Sequence, residues 1–426
     1  MKKSLKTYLL LWSTQALSAL GSSMTSYALV LWLYLERGSA LETALLSVCS
    51  YGPYVLMSVF AGALSDRWDK KKTMLGCDLL AAVSTVGVLL LARSGGLRPW
   101  HLYAINAFNG LMNSVQQPAS EVAATLLVAR EDYQKTSGLR SFSQALNTLL
   151  MPVLATALFA FGGLGSVIAF DLATFGVAFV VLAGFVRLPQ PPQGEKKEPV
   201  LSAVRAGLRW LGGRPLVWKL ILFLACINLV ASVYDAALPA LVLSRSFGGK
   251  EVLGLVNACV GAATLVGSVL AAVLPGPKDR VRAVCLALLL SMSTENFLLA
   301  FGRSPAVWCV GAALGWLAIP YMNANLDVIF RTEIPPEMQG RVFACRNTLQ
   351  FFTIPVGFLL GGVLVDKVFE PFLAAQPAGS ALAVLFGAEK GAGAALLFAL
   401  LGAVGVGVCL VFRWALRKYQ WSEKEN

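Results

Sequence analysis

Four carboxylates lie within long apolar stretches of this sequence, and each is a candidate for proton chemistry. They are Asp78, Asp171, Asp235 and Glu295. If such a stretch crosses a lipid bilayer, an ionised carboxylate near its centre costs at least about 2.5 to 3.5 kcal/mol, so the group needs a polar partner, a bound proton or water. A side chain under that constraint can take up and release a proton, or it can contact a cationic ligand.

The positions of the four carboxylates make some of them better candidates for binding a proton or a cation than others. Asp235 lies on the same helical face as Asn228 and Ser232, and it is the foremost candidate for binding a proton or a cationic group. Glu295 lies near the middle of its apolar stretch and is a second candidate. Asp78 is a third candidate, although for Asp78 and for Asp171 a position near the end of a stretch favours a structural role such as capping a helix.

Amide side chains recur at spacings of three and four residues in a further apolar stretch, which places them along one face of a helix. This stripe consists of Asn106, Asn109, Asn113, Gln116 and Gln117. Buried amides without partners are costly in lipid, so this face should line the protein interior or a wet cavity. The first apolar stretch contains a similar polar set, Gln15, Ser22 and Ser26. Hydrogen bonding between helices is the alternative role for these residues and for those beside Asp235.

Enzymatic catalysis, metal binding and cofactor binding find little support in these residue types. The chain has one histidine, His101, and no glycine-rich phosphate loop. Its eight cysteines are scattered singly with no Cys-x-x-Cys pair, which predicts neither disulfides nor a metal site. We therefore expect no cofactor and no enzymatic activity.

The composition identifies the kind of chain that must position these side chains. Of its 426 residues, 57% are hydrophobic and 14% are charged, and the mean hydropathy is +0.68. A soluble globular protein of ordinary composition is less apolar, so we predict an all-α integral membrane protein. The net charge of +12 comes from basic residues in short connections between apolar stretches, which argues against nucleic-acid binding.

Apolar runs of about 20 residues, bounded by charge, Gly or Pro, predict twelve transmembrane helices. The predicted spans cover residues 8–35, 43–64, 74–92, 100–120, 140–161, 166–186, 216–243, 252–274, 283–301, 305–328, 342–366 and 391–413. If the amino terminus is cytoplasmic, more than three quarters of the 35 basic residues fall on the inner side. This bias predicts a multi-pass protein of the cell membrane with both termini in the cytoplasm.

A polar interval divides the twelve spans into two sets of six. Residues 188–215 are rich in Pro, Gln and charge, and they predict a cytoplasmic linker between a first half, residues 1–187, and a second half, residues 216–426. Within the linker, residues 201–211 have the spacing of a short amphipathic helix. Certain Pro, Arg and Gly residues of the first half recur in the second half at a nearly constant separation along the sequence. This recurrence predicts two six-helix pseudo-repeats. The matched pairs are Pro118 with Pro320, Arg130 with Arg331, Gly138 with Gly340, and Pro152 with Pro355.

A charged hairpin between the second and third predicted spans carries a recognisable pattern. Its key residues are Gly62, Asp66, Arg67, Lys71 and Lys72. Their spacing resembles the signature of the major facilitator superfamily, Gly-x-x-x-Asp-Arg/Lys-x-Gly-x-Arg/Lys-Arg/Lys, with Asp69 standing where the signature has its second Gly. Short sequence segments, among them residues 168–175, resemble segments found in the macrolide-type drug exporters, a branch of that superfamily.

The resemblance implies a secondary transporter that works by alternating access. In that family the hairpin is a conformational latch, whose carboxylate meets the amino-terminal end of a helix from the opposite half. The first, fourth, seventh and tenth spans of the family line a central cavity, which would place the polar sets described above around a substrate.

The function expected from this resemblance is proton-coupled export of an amphipathic small molecule or drug, of the kind that confers antibiotic resistance. An antiporter motif is present only in degraded form around Met151 and Pro152, which leaves other directions open. The alternatives are a metabolite importer or facilitator and a siderophore exporter, with a lipid-handling membrane protein as a remote one. The expected partners are a small-molecule substrate, protons and the lipid bilayer, and the carrier is expected to be a monomer.

Overall fold

The computed structural model describes residues 5–128, 133–188, 200–377, 379–387 and 389–419, and the regular structure in these ranges is helical. The helices are α1 (Leu5–Arg37), α2 (Ala40–Arg67), α3 (Lys70–Arg93), α4 (Pro99–Leu127), α5 (Tyr133–Val180), α6 (Val200–Gly212), α7 (Pro215–Ser244), α8 (Lys250–Val273), α9 (Arg280–Phe301), α10 (Pro305–Leu317), α11 (Ile319–Glu333), α12 (Pro336–Phe351), α13 (Thr353–Val363), α14 (Glu370–Ala374), α15 (Ala381–Phe386) and α16 (Ala392–Leu416). Two π-helical turns, Val181–Phe185 and Leu364–Phe369, follow α5 and α13.

The all-helical membrane fold predicted from the sequence is confirmed. In the described part of the chain, nine helical segments are long and apolar enough to cross a membrane. One of them, residues 142–185, holds the fifth and sixth predicted spans together, and α2 and α4, which carry the second and fourth, are not among the nine. Every predicted span nevertheless lies on helix, and the number twelve stays a prediction.

Glycine and proline divide two of the helical stretches, one of them between two predicted spans and the other inside a predicted span. α5 is interrupted at Gly162 (φ −141°, ψ 19°) and Gly163 (φ 65°, ψ −160°), between the fifth and sixth predicted spans. The φ of Gly163 lies in the left-handed region, which glycine adopts without the steric cost of a Cβ atom. The tenth predicted span is split between α10 and α11, where Pro320 occupies the first turn of α11 and lacks the N–H that would continue the ladder.

The described helices divide between two compact units. Unit 1 comprises Met1–Glu36 and Cys49–Val200. One part of its core joins Tyr8 and Leu11 of α1 to Met74 of α3, Ala119 of α4 and Leu182 of the following π-helical turn. These side chains are at most 5% exposed, so the ends of four apolar segments close on one another there.

Unit 2 comprises Arg37–Val48 and Leu201–Asn426. Helix α7 is its most enclosed element and packs against α13 and α16, with Phe223 stacked on Phe412 at a ring-centroid distance of 4.9 Å. The segment Arg37–Val48 belongs in sequence to the second predicted span, yet in space it clusters with unit 2. Helix α2 therefore begins in unit 2 and continues into unit 1 after Cys49.

The amphipathic helix predicted within the linker is confirmed as α6. Leu211 is fully buried, whereas Arg205 and Arg209 are exposed, as expected for a helix with one apolar and one basic face. Residues 189–199, the remainder of the Pro- and Gln-rich segment, lie outside the described residues.

Candidate functional site

Asp78 is the centre of a polar cluster in unit 1 that draws on three helices. The carboxylate projects from the third turn of α3 and accepts hydrogen bonds from the Nε2 atoms of Gln116 on α4 and Gln15 on α1, the latter at 3.5 Å. The amide stripe predicted α4 as a source of polar groups. Gln116 is the member that contacts a carboxylate, whereas the adjacent Gln117 is exposed.

Several of the other predicted polar residues of α1 and α4 are exposed, although the hydroxyls of Ser22 and Ser26 are bonded to Asp171 and to the Ser22 carbonyl. Ser22 and Ser26 of α1 and Asn113 and Gln117 of α4 are exposed. The Gln117 side chain also accepts a 2.5 Å hydrogen bond from the Tyr54 hydroxyl. In a membrane-spanning helix, exposed amides and hydroxyls are stable where water or a polar ligand can reach them.

Two amides of the stripe are less open. Asn106 donates from Nδ2 to the carbonyl of Leu102 in its own helix at 2.9 Å, and Asn109 is half-buried. Their side chains therefore contribute less to an open polar face than Asn113 and Gln117 do.

Asp171 has a packing role within unit 1. It is 5% exposed and accepts a 3.0 Å hydrogen bond from the Ser22 hydroxyl. A Cβ atom at Gly21 would lie 2.9 Å from the Asp171 Cα, so glycine permits this close contact of α1 with the sixth predicted span. This geometry supports the structural role that its position suggested.

Two predicted cavity residues of α7 are engaged with other helices of unit 2. Asn228 donates from Nδ2 to the Gln350 carbonyl of α12 at 3.2 Å. Ser232 is 4% exposed, bonds to the Asn228 carbonyl at 2.7 Å, and packs where Gly357 of α13 has no side chain. The Asn228 bond is of the helix-to-helix kind that was the alternative to a cavity, whereas the Ser232 bond stays within α7 and its contact with α13 is packing.

Asp235 stands apart from its neighbours on α7. It is exposed, whereas Tyr234 and Ala236 on either side are buried. No side chain in the described ranges forms a hydrogen bond or an ion pair with it. An accessible carboxylate on a helix that is otherwise enclosed can meet water, a proton or a cationic group.

Glu295 is the most enclosed of the candidate proton sites. It is 4% exposed and accepts a 3.0 Å hydrogen bond from the Nε1 atom of Trp316 on α10. A Cβ atom at Gly315 would lie 2.6 Å from the Glu295 Cβ, so glycine makes room for this side chain. The carboxylate therefore joins α9 to α10 inside unit 2.

The charged hairpin is described only in part. The side chains of Gly62, Asp66 and Arg67 lie outside the described residues. Asp69, in the position of the signature glycine, has an extended backbone (φ −62°, ψ 119°) and caps α3 by accepting a 2.9 Å hydrogen bond from the Lys72 N–H. The capping carboxylate needs no left-handed turn, which explains how Asp replaces Gly here.

Lys71 connects the hairpin to another helix of unit 1. Its ammonium group donates to the carbonyls of Ala183 and Val186 at 2.8 and 2.7 Å. These carbonyls close the carboxyl-terminal end of the sixth predicted span, where a cation is favourable.

The second half has a cap of the same kind, which sequence spacing did not reveal. Asp279 precedes α9 and accepts a 3.0 Å hydrogen bond from the Arg282 N–H. Asp69 does the same for α3, and α3 and α9 carry the third span of each predicted six-helix repeat. The adjacent Arg280 donates to Asn325 Oδ1 at 2.9 Å.

Comparison with known proteins gives the same picture by sequence and by fold. The model of the family described as Major Facilitator Superfamily matches residues 11–357. Macrolide efflux protein A of Streptococcus pyogenes is 23% identical over 365 residues, covering 84% of this chain and 89% of the relative. The enterobactin exporter EntS of Citrobacter koseri is 26% identical over 351 residues, covering 80% of each chain.

Solved structures share the fold across nearly the whole chain. A bacterial homologue of the human lysosomal transporter Spinster superimposes with a TM-score of 0.71 at 13% identity, covering 99% of this chain and 100% of the other. The nucleoside transporter NupG gives a TM-score of 0.67 at 12% identity, covering 97% of this chain and 100% of the other. At these identities the likeness concerns the fold alone.

Proposed function

The chain belongs to the Major Facilitator Superfamily, and on that premise we propose that it exports an amphipathic antibiotic of the macrolide type from the cell in exchange for protons. The observation that carries the proposal is its likeness to a macrolide efflux protein over most of both chains. The carrier lies in the cell membrane with both termini in the cytoplasm, in keeping with the distribution of basic residues, and works as a monomer.

The hydrogen-bond partners of Asp78 support its role as the proton-binding group. A glutamine amide donates to an ionised carboxylate through N–H, and after a flip its oxygen accepts the O–H of the protonated acid. Gln15 and Gln116 can therefore satisfy both states of Asp78. The indole of Trp316 only donates, so this contact of Glu295 suits the ionised state alone.

Asp235 is assigned the second role, contact with a cationic group of the substrate. It is exposed on α7 and has no ion-pair partner among the described side chains, so a positive charge on the substrate would meet an available carboxylate. The exposed Asn113 and Gln117 of α4 keep the cavity role that the family resemblance implies.

Inverted membrane vesicles test the direction and the energy source together. Vesicles acidified inside should accumulate a radiolabelled macrolide, and a proton ionophore should abolish the accumulation. Vesicles that contain no carrier provide the background. Accumulation that survives the ionophore undiminished would refute proton exchange, and accumulation only in vesicles of the native orientation would point to an importer or facilitator.

A siderophore is the second candidate substrate, favoured by the likeness to the enterobactin exporter over 80% of each chain. The two substrates are separated by competition: excess unlabelled enterobactin should leave macrolide accumulation unchanged if the carrier is a macrolide exporter, and should suppress it if the siderophore binds the same site. The remote lipid-handling alternative predicts fluorescent-lipid scrambling in liposomes, which the exporter should not catalyse.

The charged hairpin contains two aspartates, and substitutions at them should affect transport to different extents. Asp66→Asn should impair transport more than Asp69→Gly, because Asp66 holds the latch position of the family signature. Glycine at the position of Asp69 restores the signature residue and costs a helix cap only a few tenths of a kcal/mol. Initial export rates, normalised to the amount of carrier in the membrane, measure both variants, and the reverse order would refute the latch assignment.

A further inference from the structure

We propose that Ser22, Thr25, Asp171 and Thr174 form a binding site for a sodium ion between α1 and the sixth predicted span. The site lies within unit 1, to which both helical segments belong. The bound ion is structural: it balances the charge of Asp171 and joins the two segments. The inference goes beyond the export activity and does not depend on which compound the carrier exports.

The four residues form two pairs, one on each side of the contact between the helical segments. Ser22 and Thr25 are three residues apart on α1. Asp171 and Thr174 are three residues apart on the sixth predicted span. This spacing places both members of a pair on one helical face. A Cβ atom at Gly21 would lie 2.5 Å from Thr174 Oγ1 and 3.1 Å from Asp171 Oδ1, so glycine lets the two faces meet closely.

The carboxylate of Asp171 is enclosed without a positive charge beside it. Asp171 is 5% exposed, and no lysine or arginine among the described residues forms an ion pair with it. The hydroxyl of Ser22, which donates to it at 3.0 Å, is neutral. An ionised carboxylate enclosed within a membrane protein is costly unless a positive charge lies close to it. A cation bound at Asp171 would supply that charge.

Thr25 supplies a second, independent reason for a ligand at this place. Its side chain is 7% exposed, and its hydroxyl faces the Asp171 carboxylate. The Oγ1 atom is buried, yet it completes no hydrogen bond within the described part of the chain. A buried hydroxyl without a hydrogen bond is unfavourable. A cation coordinated by the lone pairs of Oγ1 would remove that cost.

The other two hydroxyls can serve the same ion. Thr174 donates its proton to the Asp171 carbonyl at 2.9 Å, which leaves the lone pairs of its oxygen for a cation. Ser22 is exposed, so its hydroxyl can turn its proton towards water when a cation binds. The same exposure gives the ion a path to the enclosed carboxylate from the surface of unit 1.

The donor atoms and the packing favour sodium over other ions. Carboxylate and hydroxyl oxygens are ligands of hard cations. A single carboxylate balances a single positive charge, whereas a divalent ion would leave an excess charge inside unit 1. Cavity size and ligand number decide between ions of equal charge. The close contact at Gly21 leaves room for sodium rather than for the larger potassium ion.

Binding of radioactive sodium to the purified full-length carrier tests the site directly. In choline chloride buffer the carrier should bind a single sodium ion, and unlabelled NaCl should displace it, whereas KCl should need about a tenfold higher concentration. Asp171→Asn should remove the saturable binding. Thr25→Val replaces the hydroxyl by a methyl group of similar size and should weaken binding about tenfold, because one ligand oxygen is lost. Equal displacement by KCl would overturn the assignment to sodium.

Thr156→Val is the matched control for Thr25→Val. Thr156 is also 7% exposed and has a buried Oγ1 atom without a hydrogen bond in the described ranges, but it is not among the described partners of Asp171. The control should keep the sodium affinity of the parent. Equal affinities of the two valine variants, or no saturable binding by the parent, would overturn the site.

Thermal unfolding gives a second measurement on the same carrier. Sodium that binds the folded state should raise the unfolding midpoint when NaCl replaces choline chloride at constant ionic strength. The parent and Thr156→Val should show this rise, and Asp171→Asn should not. A midpoint of the parent that does not respond to sodium would contradict the proposal. Neither measurement uses a transported substrate, so both stay decisive if the carrier does not export macrolides.

Discussion

Asp78→Asn is expected to abolish the proton-driven accumulation of substrate while leaving exchange of the same substrate across the membrane. Asparagine keeps hydrogen bonds to Gln15 and Gln116 but cannot bind and release a proton. A proton that moves down a gradient of one pH unit supplies about 1.4 kcal/mol, which corresponds to about tenfold accumulation of substrate. That tenfold factor should disappear in the variant, as measured in inverted vesicles with an imposed pH gradient.

Variants of two further carboxylates show whether the effect of Asp78→Asn is specific to proton coupling. Asp279→Asn should retain the accumulation, because Asp279 caps α9 and has no place in the proposed proton pathway. Asp235→Asn should lower export of a cationic substrate and raise the concentration needed for half-maximal rate, while the dependence on the pH gradient persists. If Asp78→Asn accumulates substrate as the parent does, the proton site must lie elsewhere, with Glu295 as the next candidate.

The helical fold of this carrier can be predicted from the sequence because the interactions that form its helices join residues close together in the chain. A run of about 20 apolar residues has to satisfy its backbone hydrogen bonds internally, so helix follows from hydropathy. Gly162 and Gly163 mark the turn between two spans for the same local reason, and the spacing around residues 201–211 identified α6.

Contacts between residues that are far apart in the sequence cannot be predicted in the same way. Gln116 and Gln117 are adjacent in sequence and alike in chemistry, yet only the former contacts Asp78, because a shift of one residue rotates a helical side chain by about 100°. Ser232 shares the face of Asp235 by spacing but is buried against α13. The carboxylate of Asp366 accepts hydrogen bonds from the backbone N–H groups of Ala40 and Leu41, and spacing cannot reveal this contact because its partners are more than 300 positions apart in the chain.

Close backbone contact through glycine is the second feature that periodicity cannot reveal, and it leads to the largest expected loss of stability. Gly110→Ala should lower the stability of unit 1 by about 1 to 3 kcal/mol, since the added methyl group must displace the Ser50 backbone of α2. Helices in lipid depend on such small residues because no hydrophobic force distinguishes a neighbouring helix from lipid tails. The midpoint of thermal unfolding in detergent, followed by fluorescence-detected size exclusion, measures the loss.

Gly87→Ala is the matched control for Gly110→Ala. Gly87 lies inside α3, and a Cβ atom there would meet nothing within 4 Å, so alanine should leave the midpoint unchanged or raise it slightly through its better helix propensity. Equal midpoints of thermal unfolding for the two variants would contradict the close contact between Gly110 and Ser50.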